Sequence, residues 1–268
     1  MSTILHILAP QKGYLLLGAL WLIFGLAACV PKYHMSPNGV DTGRGIKLFI
    51  QNQENRRALL TLWRVEGDLD LETKQINGRY RFQLIGAKTE HAHLTVFGPF
   101  HQVAFELSMT PERLRFLDPD KRRVVETSAT ALGLNHLTGM DVPPNLLFQF
   151  LLALTAPVQT NHLETLFSEL RTEDGENIRI DPENGHLLER WGRMESKVPY
   201  QANYRWFDTS LNRSDENLPA KIHITWSDDQ YVIVRVKKWL FLPATQTPNW
   251  ERLAAGKGFE VIYPFATP

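Results

Sequence analysis

Between Trp63 and Thr127 the chain changes sides at almost every residue. "WRVEGDLDLE" alternates Trp63, Val65, Gly67, Leu69 and Leu71 with Arg64, Glu66, Asp68 and Asp70. "GRYRFQLIG" alternates Tyr80, Phe82 and Leu84 with Arg79, Arg81 and Gln83. "HAHLTVFG", "HQVAFELSM", "ERLRFLD" and "RRVVET" continue the series, with turn residues between them. A period of two with short turns predicts an antiparallel meander with one apolar and one wet face. The pattern returns near the end. "AKIHITW" places Ile222, Ile224 and Trp226 on one face, "YVIVRVKKWLF" does the same with Val232, Val234 and Val236, and "GFEVIYPF" reads as a further strand.

Three segments read as helices. "IKLFIQNQENRRALLTLW", from Ile46, is amphipathic. "TSATALGLNHLTG" ends at Gly139, a helix stop, and "PPNLLFQFLLAL" starts on Pro143 and Pro144, where proline is tolerated. From Leu146 to Leu154 only Gln149 is polar. A helix apolar all round is buried all round or lies in a membrane, and this run is about half the ~20 residues of a bilayer span. A sheet with one apolar face must bury it against another layer, and the two central helices are the candidates. A long twisted sheet curls. Periodicity leaves two outcomes open: a half-open barrel with a helical lid over a cavity, or a solid core.

Composition adds limits. Of 268 residues, 43% are hydrophobic and 22% charged, ordinary for a globular chain. Lys+Arg 29 balances Asp+Glu 29, so no basic excess points to nucleic acid. One cysteine, Cys29, excludes an internal disulfide framework. It follows "KGYLLLGALWLIFGLAAC", with Lys12 in an n-region and an uncharged run from Tyr14 to Ala28. That is the layout of a signal peptide. "LAAC" (Leu26 to Cys29) resembles the bacterial lipobox, which implies cleavage before Cys29 and acylation of it. By the same resemblance, Val30 rather than Asp after it implies the sorting to the outer membrane usual for that pattern in proteobacteria. The alternative is an uncleaved anchor helix with an incidental cysteine. Pro31 to Gly45, rich in Pro, Gly and small polar residues, reads as a tether.

Longer stretches carry a family resemblance. "HLTGMDVPPNLL" (His136 to Leu147) resembles the lid-helix segment of the LolB family, outer-membrane lipoproteins that accept other lipoproteins from a periplasmic carrier. "FGPFHQVAFEL" resembles that family's turn between two central strands, "LLTLWRVEGDLDLE" its first helix and strand, and Tyr204 to Trp239 its closing hairpin. Three features depart from the family pattern: an apparent insertion at 160–179, "ALTAP" where the lid usually ends "GLPG"-like, and an extension over 242–268.

The resemblance implies an organisation and a fold. Residues 1–28 are a signal peptide, 29–45 the lipidated cysteine and tether, and 46–268 one domain. The fold is a mainly β (α+β) curled antiparallel sheet, an incomplete barrel closed by helices over an apolar cavity. The expected acyl-chain cavity comprises Tyr80, Phe82, Leu84, Leu94, Val96, Val103, Phe105, Leu147, Phe150, Leu151, Ile224, Trp226 and Val234. Phe100, in the "GPFHQ" turn, either folds back onto the lid or projects to insert into a bilayer, and the resemblance favours insertion. The implied partners are a LolA-like periplasmic carrier, cargo lipoproteins and outer-membrane lipid. The chain is expected to be a monomer, to use no cofactor, and to sit on the periplasmic face of the outer membrane through Cys29. A structural or assembly lipoprotein, or a lipid-binding sensor with the same fold, is the alternative.

No P-loop, G-x-G-x-x-G, G-x-S-x-G or H-E-x-x-H pattern is present, and the reading is not an enzyme. His91 and His93 could begin a metal site, but they read as a solvated face. Glu66, Asp68 and Asp70 read as an exposed face rather than paired acids. Lys121 to Arg123 reads as a solvated hairpin tip, with contact to lipid headgroups as the alternative.

Overall fold

The computed structural model describes residues 42–88, 90–158, 169–194, 198–207, 218–227, 229–242 and 259–262. Cys29, the expected signal peptide and most of the expected tether lie outside them.

The alternation becomes one sheet. Its strands are β1 (Trp63–Glu72), β2 (Asn77–Ala87), β3 (His91–Phe97), β4 (Val103–Met109), β5 (Arg113–Asp118), β6 (Arg123–Ser128), β7 (Glu169–Arg171), β8 (Asn177–Ile180), β9 (Leu187–Arg193), β10 (Pro199–Trp206), β11 (Pro219–Ser227), β12 (Gln230–Phe241) and β13 (Glu260–Ile262). Their order is β13-β6-β5-β4-β3-β2-β1-β12-β11-β10-β9-β8-β7. Every pairing is antiparallel except that of β13 with β6. The sheet is curled and open. The register lines up the inward residues across six strands. Ile224 opposes Val232 and Val232 opposes Leu71. Further along, Val65 opposes Leu84, Leu84 opposes Leu94, and Leu94 opposes Leu107.

Two glycines allow close approaches within the sheet. The β1–β12 ladder slips at Glu66/Gly67, a bulge that bends and twists a strand. A Cβ on Gly67 would stand 2.1 Å from the Arg235 carbonyl oxygen, so only glycine fits there. A Cβ on Gly86 would stand 2.1 Å from the Trp63 ring, which fills that space instead.

Among the described residues, three helices cover the concave side. Helix α1 (Thr42–Leu59) begins ahead of the Ile46 expected from the pattern and takes in the last tether residues. Helix α2 (Ala131–Thr138) has Thr130 as its N-cap, accepting from the Gly133 amide at 3.1 Å. Gly139 closes it in the left-handed region, φ 77, a conformation costly for residues with a Cβ. Helix α3 (Pro144–Leu151) opens on proline and stops short of the Leu154 suggested by the apolar run. Ala153, at φ 48, turns the chain away.

The part of the expected insertion that is described extends the sheet as β7 and β8. The C-terminal extension supplies β13, with Phe259 packed on Leu117 and Val124 of the outer face.

Candidate functional site

The sheet and lid enclose an apolar cavity. Its wall is Leu69 and Leu71 of β1, Phe82 and Leu84 of β2, Leu94 of β3, Phe105 and Leu107 of β4, Ile224 of β11, and Val232 and Val234 of β12. Leu147, Phe148 and Leu151 of α3, with Met140, form the roof, and Ile76 and the Thr73 and Thr138 side chains complete the lining. Both hydroxyls are already engaged. Thr73 Oγ1 donates to the Thr138 carbonyl at 2.7 Å, and Thr138 Oγ1 to the Leu134 carbonyl at 2.8 Å. The cavity therefore offers a guest carbon and almost no hydrogen-bonding capacity. Its free volume is about 80 Å³, against several hundred Å³ for typical pockets holding drug-sized ligands. A long hydrocarbon needs the lid displaced.

The lid is held differently at its two ends. The end of α2 rests on the β1–β2 turn through neutral contacts. These are the Thr73 bond above and Gln75 Nε2 donating to the carbonyls of Asn135 at 3.3 Å and His136 at 3.2 Å. A Cβ on Gly139 would stand 2.8 Å from the Gln75 amide nitrogen, so the glycine also allows this close approach.

The end of α3 is gripped by cations. Arg190 of β9 donates to the Leu154 carbonyl at 2.8 Å and to Gln149 Oε1 at 3.2 Å. It also forks onto Glu176 at 2.7 Å on each arm. Tyr200 OH donates to Glu176, and the Arg190 guanidinium lies 4.8 Å over the Phe150 ring. Arg56 donates to the Ala153 carbonyl, and Arg57 to that of Thr155 at 2.6 Å. Gln53 bridges the Ala153 carbonyl and the Thr155 amide. Cations at a helix C-terminus meet the negative end of its dipole.

The electrostatics of this grip follow from burial. Burial works against the Arg190 charge, but Tyr204 and Glu176 outweigh it and raise its pKa. Burial lowers Arg56 to about 9, still above neutral pH, so it stays charged. Its guanidinium lies 4.9 Å over Trp206, whose ring stacks on His186 at 4.3 Å. Burial, then Arg56, lowers His186 to about 4.

Of the expected cavity residues, Phe82, Leu84, Leu94, Phe105, Leu147, Leu151, Ile224 and Val234 come together in the lining. Five others do not join it. Tyr80 and Val103 face a second groove, which Phe105 also borders. Val96 is buried in the core between Phe82 and Phe105. Phe150 points to the opposite side of α3, against Tyr200 and Arg190. Trp226 is buried near the β11–β12 turn, its Nε1 bonded to Gln230. Alternation marks a face as inward but not how far a residue stands from the lid. The lining residues not singled out from sequence include Leu69, Leu71 and Val232, which share the inward phase of Val65 and Val234 and were findable by it. Leu107, Phe148, Met140, Ile76, Thr73 and Thr138 depend on how the lid sits.

Phe100 projects. It is 95% exposed on a short turn, Pro99–His101, between β3 and β4. Phe100 and His101 both sit in the left-handed region, φ 64 and 65. Such a conformation costs a residue with a Cβ about 1–3 kcal/mol. The apparent candidates for other chemistry are placed on the outer face. His93 faces Glu106 at 3.7 Å, and burial lowers its pKa. Asp70 pairs with Arg79 at 3.1 Å, and Asp68 with Lys237 at 2.7 Å. Among the described residues no group of metal-ligating side chains assembles, and no helix is long and apolar enough to cross a membrane.

Among curated proteins the chain finds no match. Solved structures resemble it at low identity. A LolA superfamily protein from Nitrosomonas europaea aligns at TM-score 0.47 and 13% identity, over 74% of this chain and 96% of that one. A Vibrio parahaemolyticus domain, provisionally named for outer-membrane lipoprotein sorting, aligns at 0.48 and 9%, over 78% and 96%. LprF from Mycobacterium bovis aligns at 0.34 and 12%, over 75% and 96%. The family model "Outer membrane lipoprotein LolB" matches residues 61–239, from just before β1 to Trp239 of β12, and the chain belongs to the LolB family.

Proposed function

We propose that this chain is a lipid-anchored acceptor that takes lipoproteins from a LolA-like periplasmic carrier and inserts them into the outer membrane. The acyl chains would lie in the cavity, Cys29 would carry the anchor, and Phe100 would enter the bilayer. The observation that carries this reading is a cavity lined by carbon under a lid, with both of its hydroxyls engaged. Each buried CH₂ is worth about 0.8 kcal/mol, so a lipoprotein's chains represent tens of kcal/mol and cannot cross water unprotected. Transfer without a nucleotide must run downhill. The cavity must therefore hold the chains less well than the membrane does, and a guest that has to displace a roof meets that condition.

The exposure of Phe100 supports an insertion role. Burying a Phe side chain is worth about 1.5–3 kcal/mol, enough to bias docking but not to anchor. Phe100→Glu is expected to accept cargo from the carrier normally and to fail to release it. A purified carrier, acceptor and liposome system reads both steps. Delivery at the parent rate by Phe100→Glu would remove the insertion role.

The free volume of about 80 Å³ favours a second reading, a structural or assembly lipoprotein that keeps the fold without cargo. A fluorescent fatty acid separates the two. Saturable uptake that is competed by lipoprotein supports the acceptor, and no uptake supports the assembly role.

A further inference from the structure

In an up-and-down meander every second turn lies at the same end. Beside the β11–β12 turn, placed at the Phe100 end by the pairing of Glu72 with Tyr231, three turns lie there: β1–β2 (residues 73–76), β3–β4 (98–102) and β5–β6 (119–122). They border one groove of about 470 Å³, lined by Gln75, Gly98, Pro99, Asp118 and Lys121 among others. Although the whole chain has net charge zero, these three turns are basic. They carry Lys74, Lys121 and Arg122 against Asp120, with Arg81 on the adjoining strand, while the β11–β12 turn adds Asp229. The turns at the opposite end carry Lys88 against Glu90 and Glu112. Some of the basic charge is spent, since Asp118 holds Lys121 at 3.3 Å and Arg123 at 3.5 Å, and Asp70 holds Arg79. Lys74, Arg81 and Arg122 are exposed, and none of them forms an ion pair with a carboxylate among the described residues, although Arg81 also bonds to the His101 ring.

Arg122 is the informative one. It sits at φ 49, its amide bonded to the Pro119 carbonyl at 3.2 Å, in a turn position that glycine or asparagine fills at less cost. Phe100 and His101 pay the same conformational penalty on the neighbouring turn. An aromatic and a guanidinium, each held in a disfavoured backbone conformation and exposed at one end, form a wedge with charge beside it.

We infer that this end docks on a bilayer surface carrying anionic phosphate headgroups, with Phe100 entering the apolar layer and Lys74, Arg81 and Arg122 meeting the headgroups. The inference rests on the insertion role of Phe100 and adds a choice of lipid to it. Each basic side chain at an anionic surface is worth about fivefold in the docking equilibrium.

The test uses the full chain on vesicles of phosphatidylcholine alone, or of phosphatidylcholine with phosphatidylglycerol, without cargo. Hydrogen exchange of the 98–102 amides reads docking. Protection is expected on the anionic vesicles, weaker on the neutral ones, and lost at about 1 M salt, where the screening length is ~3 Å. Arg122→Gly suits the left-handed turn, so its unfolding temperature should not fall, while its docked-to-undocked ratio drops about fivefold. Arg122→Lys should recover most of that ratio. Equal protection on both vesicles, protection that survives salt, or an unchanged ratio in Arg122→Gly overturns the headgroup role and leaves insertion standing. No protection on either vesicle overturns both.

Discussion

Gln149 is the one polar side chain between Leu146 and Leu154, and its amide oxygen receives Arg190. The odd residue in the apolar run is thus the lid's contribution to a buried polar cluster with Glu176 and Tyr200. Gln149 stood out in the sequence. Its partners did not, because they come from residues 176, 190 and 200, on strands that no local pattern joins. Removing one member of a buried ion pair leaves the other charge uncompensated, which costs about 3–5 kcal/mol. Arg190→Met should lose that much in denaturant unfolding, and Arg190→Met with Glu176→Leu should lose less than Arg190→Met alone. Leu147 presents the opposite case. It is half-buried and already borders free space, so Leu147→Ala should fall below the usual ~2–5 kcal/mol for a core truncation. The same variant should alter fatty-acid affinity. A full core-sized loss with unchanged binding would mark the site as plain packing.

At the scale of elements, β1 to β6 and β10 to β12 differ in how openly they were written. β1 to β4 carry period-two alternation over six or more residues each, while Phe116–Leu117 in β5 and Val124–Val125 in β6 break it, because Leu117 and Val124 pack under Phe259 on the other face. β7 and β8 span 3 and 4 residues, too short for a period to register, and they fell where an insertion was expected. β9 holds a charged residue, Arg190, at an inward position and a second buried charge, Glu189, on its other face, which breaks the alternation that would have announced it. The helices were legible by their caps and prolines, but not the way they are fastened. Neutral bonds hold the α2 end, and three arginines hold the α3 end, so the roof should swing from the arginine side. Thr73→Val removes the hydroxyl that joins the β1–β2 turn to Thr138 while keeping the side chain's shape. Its stability should fall by about 1 kcal/mol, and stopped-flow uptake of a fluorescent fatty acid should become faster. Slower or unchanged uptake would place the opening elsewhere.

The molecule as a whole is tied together where α1, the start of β9 and the end of β10 meet, at Arg56, His186 and Trp206. His186 has a folded pKa of about 4, below the ordinary 6.5, held down by burial and then by Arg56, with Asp181 opposing. As pH falls the unfolded chain takes up this proton first. Stability contributed here is therefore complete above pH 6.5, declines between 6.5 and 4, and then levels off. With solvent screening part of the interaction, the loss is on the order of 1–2 kcal/mol, below the ~3.4 kcal/mol that the full difference would give. Urea unfolding across that range should show the decline, and His186→Gln should lessen it, leaving the smaller share that His93 and His223 contribute in the same direction. A parent chain equally stable at pH 4 and pH 6.5 would show that His186 protonates without resistance.

The engaged hydroxyls of Thr73 and Thr138 have one more implication. Hydrocarbon contact is non-directional, and one methylene changes affinity by about fourfold at most. A chamber of this kind reads how much chain it is given and is blind to the polypeptide attached. On the acceptor role proposed above, selectivity among passengers would have to be exercised before they arrive, and one acceptor would serve a crowd of unrelated cargoes without adapting to any of them.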